Sequence, residues 1–78
     1  MRKNMQPVSI WESDAVMRTL TDVEGAAQFL LTKWPDVDDT EIRRAARQAA
    51  LDALIGATFV ETFRAAFIAA AEEAGILA

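Results

Sequence analysis

The chain has 78 residues, 53% of them hydrophobic and 26% charged, with a formal net charge of −4 and a pI near 4.6. It contains no histidine, cysteine or tyrosine, which removes the side chains most readily tuned for acid–base or nucleophilic work at neutral pH and any disulfide staple. The acidic balance argues against nucleic acid or an anionic membrane surface as partner, and the longest apolar run, residues 65–71, falls far short of the roughly 20 residues needed to cross a bilayer.

A chain of this length makes one domain, 1–78, and buries only about 60% of its unfolded surface. Its support must therefore come from close helix packing or from oligomerisation. Residues 1–5 read as a flexible N-terminal tail. Arg2 and Lys3 are followed by no apolar stretch of signal-peptide length, so the expected location is cytoplasmic.

Residues 7–20 read as a β-hairpin. Val8, Ile10 and Trp11, then Val16, Met17 and Leu20, flank the turn-forming pair Ser13 and Asp14. A loop at those two residues sets Trp11 opposite Val16 and Ile10 opposite Met17, and makes both faces of the hairpin partly apolar. Thr21 and Glu24 have the spacing of a capping box, which starts a first helix over 22–33. Val23, Ala27, Leu30, Leu31 and Trp34 form its apolar stripe, and Pro35 opposes its continuation.

The acidic stretch Asp36, Asp38 and Asp39 then supplies a cap and favourable charge for a second helix over 40–55. Its expected buried face is Ile42, Ala45, Ala46, Ala49 and Ala53, with Gly56 as the left-handed stop. Thr58 and Glu61 repeat the capping-box spacing, and a third helix runs to Ala74 before Gly75. Phe59, Phe63, Ala66, Phe67, Ala70 and Ala74 make its core stripe. The fold class is therefore α+β, a hairpin followed by three helices (ββααα), with the hairpin stabilised against the helices because an isolated one is marginal.

Pro7-Val8, Leu30 through Trp34-Pro35, Ala53-Leu54 with Gly56, the run Arg64 to Ile68, and Ala74-Gly75-Ile76 follow one another in an order and spacing that resembles the small bacterial family called domain of unknown function 982. The resemblance covers nearly the whole chain. It implies a cytoplasmic alphaproteobacterial protein and brings no established activity with it. Members of that family often carry a cysteine near the position of Ala50, and its absence here argues against a family-wide thiol chemistry.

Asp36, Asp38, Asp39 and Glu41 offer oxygen ligands, but counted from Asp36 the sixth position is Glu41 instead of the turn glycine and the twelfth is Arg47 instead of a bidentate carboxylate. Helix capping is the preferred reading, and no metal or cofactor is expected. Arg43, Arg44 and Arg47 form the one basic cluster, read as a solvated helix face in which Glu41 pairs with Arg44. Glu61, Arg64, Glu72 and Glu73 show no acid–base pairing, so no catalytic residue is assigned and an enzyme is not expected.

Four apolar residues break the amphipathic pattern. Ile68 falls on the polar side of the third helix, Leu51 and Ile55 share a side of the second with Arg44 and Arg47, and Trp11 stands on the outer face of the hairpin. Trp11, Leu51, Ile55 and Ile68 are the candidate interaction surface. They point to a non-catalytic interaction or homo-oligomerisation module whose partner is a second copy or another protein. A small-molecule pocket between the hairpin and the third-helix phenylalanines is the alternative, and a DNA-binding regulator a minor one.

Overall fold

The computed structural model describes residues 3–35 and 38–78. Strands β1 (Asn4–Trp11) and β2 (Met17–Asp22) form an antiparallel hairpin, followed by helices α1 (Val23–Thr32), α2 (Glu41–Leu54) and α3 (Val60–Ala74). This is the expected ββααα order.

The hairpin register differs from expectation by one residue. Trp11 stands opposite Met17, Ile10 opposite Arg18, Ser9 opposite Thr19 and Val8 opposite Leu20. The turn takes in residues 12–16, closed by the Glu12 and Ser13 N–H groups donating to the Val16 carbonyl. The longer loop puts Val8, Ile10 and Leu20 on the inner face with Arg18, whose guanidinium lies 5.8 Å from the centroid of the Phe29 ring.

A bulge separates the ends of β1. Asn4 pairs with Asp22 and Val8 with Leu20, so residues 5–7 of β1 stand opposite Thr21 alone. Strict alternation of side chains is interrupted within the bulge, so that Met5 and Val8, three residues apart, are both buried. Pro7 sits within this bulge, where its missing N–H costs no ladder bond. Residues 4 and 5, expected in a flexible tail, are thus strand; Met1 and Arg2 lie outside the described residues.

The other edge of β1 is also occupied. The C-terminal residues run antiparallel to it, with Trp11 N–H donating to the Ile76 carbonyl at 2.7 Å and Ala78 N–H to the Ser9 carbonyl at 3.0 Å. Arg64 of α3 donates to the carbonyls of Gln6 and Pro7 at 3.1 and 3.2 Å. Proline, arginine and C-terminal residues together close an edge that would otherwise present unpaired backbone groups.

All three expected helix caps are corrected. Asp22, not Thr21, caps α1, accepting from Gly25 N–H at 2.6 Å. Thr21 is still strand, and Glu24 accepts from the Lys3 backbone N–H at 2.8 Å. A Cβ on Gly25 would approach Asp22 Oδ1 to 2.8 Å, so the glycine makes room for the cap. Thr40, not the acidic stretch before it, caps α2, accepting from Arg43 N–H at 3.1 Å. The Thr58–Glu61 box does not form: Phe59 occupies the N-cap of α3 with no side-chain hydrogen bond.

Both glycine stops hold. Gly56 and Gly75 have φ of 79° and 73°. Each is followed by a backbone bond reaching five residues back, Ala57 N–H to Asp52 O and Ile76 N–H to Ala71 O, which satisfies carbonyls the helix end leaves open. The Lys3 ammonium donates to Ala53 O at the C-terminus of α2, where the helix dipole favours a cation.

The core lies between the hairpin and the helices and contains no buried polar side chain among the described residues. Ala46, Ala50 and Ala53 of α2 meet a stripe of α3 made by Phe63, Phe67, Ala70 and Ala71, small side chains that let the helices approach closely. Phe29, Trp34, Phe67 and Phe63 form a chain of edge-to-face contacts with centroids 5.8 to 6.0 Å apart. Several expected core positions are instead exposed: Leu31 of α1, Ile42 and Ala45 of α2, and Phe59. Ala50 and Phe29 take their places inside.

Candidate interaction surface

Most of the large apolar side chains left in solvent form two groups, one where α2 turns into α3 and one on the hairpin. Leu51 and Ile55 are one helical turn apart on α2, exposed to 50% and 78%, and Phe59 follows the Gly56 turn with 80% exposure. This residue was expected in the core stripe, because Phe59, Phe63 and Phe67 recur every four residues. Phe63 and Phe67 are fully buried. Phe59 is not, because it precedes the first helical residue and its extended φ and ψ of −76° and 150° take its side chain out of the stripe.

Trp11 is 41% exposed on the outer face of the hairpin, beside Met17 and near Val16 at the end of the loop, both of which are also exposed. Ser9 and Thr19 complete that face with a hydroxyl–hydroxyl bond of 2.9 Å. Ile68 does not join the exposed set. It is half-buried and packs against the core from α3, which accounts for an apolar residue between Arg64 and Glu72. The four candidates thus separate into Leu51 and Ile55 at the helical corner, Trp11 on the hairpin, and Ile68 as part of the packing.

The charged candidates have structural partners. Arg47 donates to Asp39 Oδ1, Arg44 donates to the Asp39 carbonyl and lies 3.5 Å from its carboxylate, and Arg43 donates to the Asp38 carbonyl. Asp39, not Glu41, is therefore the acid that answers the basic cluster. The hydrogen bond from Arg47, followed by its charge and the contact with Arg44, holds the Asp39 carboxyl below its ordinary value. Asp36 lies outside the described residues. Among those described, no group of three or more acidic side chains is gathered for a metal ion.

Glu73 accepts from the Thr40 hydroxyl and ties the start of α2 to the end of α3. Arg64 holds β1, as described above. Phe63 and Phe67 are sealed in the core, and the groove between the hairpin and the third helix is lined instead by Asn4, Met5, Gln6, Pro7 and Glu61. Another groove lies under the hairpin loop, with a volume of about 350 Å³, walled by Trp11, Glu12, Asp14, Pro35 and Ile76.

A family model described as "protein of unknown function (DUF982)" matches residues 6–78. The chain belongs to this family. The match takes in β1 from Gln6 onward, β2, all three helices and the C-terminal residues that close the β1 edge, so nearly the whole ββααα arrangement lies within the DUF982 region. No curated protein and no solved structure matches the chain. Among the described residues, no helix is long and apolar enough to cross a membrane.

Proposed function

We propose that this DUF982 protein is a non-catalytic protein-interaction or homo-oligomerisation module of the bacterial cytoplasm, and that the α2–α3 corner is its contact surface. Phe59 carries the reading. An N-cap favours Ser, Thr, Asp or Asn by about 1 kcal/mol, because their side chains satisfy a free backbone amide. Here that position holds a phenylalanine with no cap bond and most of its ring in solvent. A residue that neither caps the helix nor fills the core is explained by a surface that covers it, and Ile55 and Leu51 extend the same apolar patch.

The partner is a protein or a second copy of the chain rather than nucleic acid. The arginines of α2 are turned onto Asp38 and Asp39, and the net charge is −4. The reading is tested by native mass spectrometry of the tagged chain isolated gently from the cells that make it. A homodimer or a stoichiometric second protein that is lost in Phe59→Ser and Ile55→Ser is the expected result. A bare monomer, or a complex indifferent to both substitutions, refutes it.

A further inference from the structure

The groove under the hairpin loop belongs to a second surface. It lies at the C-terminal end of α3, whereas Phe59 precedes the N-terminal end; the 15 residues between span about 22 Å at a rise of about 1.5 Å each. Its chemistry is mixed in a particular way. Trp11, Pro35 and Ile76 supply apolar wall, and Glu12 and Asp14 bring two carboxylates to its loop side.

Glu12 is engaged, with Arg18 at 3.4 Å and Lys33 at 3.9 Å. Asp14 has no hydrogen-bond or ion-pair partner among the described residues. The groove therefore combines an exposed indole with an unneutralised acid on a chain that is itself acidic.

We propose that this groove receives a cationic side chain, an arginine or lysine carried on an exposed segment of a partner protein. Three features select that occupant. Asp14 and the net charge of −4 repel an anion, while Glu12 is already answered by Arg18 and Lys33. A neutral apolar group gains little in a groove with carboxylates on its loop side. A long basic side chain lays its aliphatic stem on Pro35 and Ile76, sets its charged head against the Trp11 ring and ends at Asp14. The volume of about 350 Å³ suits one such residue with its neighbours, and is too small for a helix. This inference goes beyond the α2–α3 corner and uses none of its residues, so each fails or stands alone.

The test titrates the ¹⁵N-labelled full chain with a blocked Gly-Arg-Gly-Arg-Gly peptide and with its citrulline counterpart, which has nearly the same shape without the charge. The arginine peptide is expected to shift the Trp11 indole N–H and the amides of Glu12, Ser13, Asp14 and Ile76 saturably, and to bind at least about tenfold more tightly than the citrulline peptide, a ratio that shrinks as salt is raised. Asp14→Asn, an exposed loop substitution that leaves the fold in place, should remove most of that preference. Trp11→Phe should retain part of the affinity and Trp11→Ala almost none. Equal binding of the two peptides, shifts centred on Glu61, Glu72 or Glu73, or no saturable shift at Trp11 by about 10 mM peptide overturns the proposal. None of these outcomes bears on the Phe59 experiment.

Discussion

Phe59 and Phe63 lie one helical turn apart in sequence, and the structure assigns them opposite energetic roles. Phe59 is 80% exposed. With about 200 Å² of side-chain surface at stake, only some 40 Å² is covered, worth about 1 kcal/mol at 25 cal/mol per Å². Phe59→Ser forfeits that and installs a hydroxyl at a vacant N-cap, which returns about 1 kcal/mol through a bond to the amide of Glu61 or Thr62. The net change in stability is expected to be close to zero.

Phe63 has no exposed surface and packs edge to face on Phe67. Phe63→Ala should cost about 3–5 kcal/mol, transfer and cavity together. A domain of this size has about 4–12 kcal/mol in all, so the variant is expected to melt at least about 12 °C lower or fail to fold. Urea titrations followed by far-ultraviolet circular dichroism separate the two cases. A loss greater than about 2 kcal/mol in Phe59→Ser would show that its ring is covered by the domain itself, and the argument for a contact surface at the corner would fail with it.

Arg64→Met keeps the stem of the side chain but leaves the Gln6 and Pro7 carbonyls without their donor; a loss of about 1–2 kcal/mol is expected, with faster amide exchange around the β1 bulge, and Arg64→Lys should recover only part because one ammonium replaces a two-pronged donor. Asp39 has a folded-state pKa below its unfolded value, so its contribution is complete at neutral pH and disappears as pH falls through the folded value; below about pH 4 the urea midpoint of the wild type should decline more steeply than that of Asp39→Asn, and parallel curves would show that the Arg47 contact adds nothing to stability. Ala50 is fully buried between α2 and α3, so a thiol there behaves as a small core group: Ala50→Cys should fold and resist alkylation until denaturant is added, and rapid labelling in the native state would place this face of α2 in solvent.

Much of the fold was legible because it rests on local rules. Gly56 and Gly75 end helices since only glycine enters the left-handed region at little cost, and both do so here. The order of two strands and three helices followed from a change of apolar period from two to about 3.6 after Asp22.

The errors arose where two local solutions were nearly equal. Thr21 and Asp22 are adjacent and both cap well; the choice fell to Asp22 because the strand pairing of β1 reaches through Thr21, and because Lys3 draws Glu24 away from a capping box. The hairpin slipped by one residue for a similar reason. Apolar residues on both sides of β1 and β2 leave alternation unable to choose a face, and the choice was made by helices that bury Ile10 and by a Phe29 ring that accepts Arg18. In α2, alanine is apolar all round, so periodicity could not tell Ala45 from Ala50.

Composition and spacing by themselves thus determined the class, the element order, the helix stops and the absence of histidine or thiol chemistry, because each depends on residue identity or on contacts within a few positions. Tertiary structure alone decided the register, the third partner along β1, the partial burial of Ile68 and the exposure of Phe59. Those outcomes depend on which surfaces remain once distant segments have packed, with residue 77 beside residue 10 and residue 64 beside residue 7. No local pattern carries that information, and the surfaces this small acidic domain leaves exposed are defined only when the packing is complete.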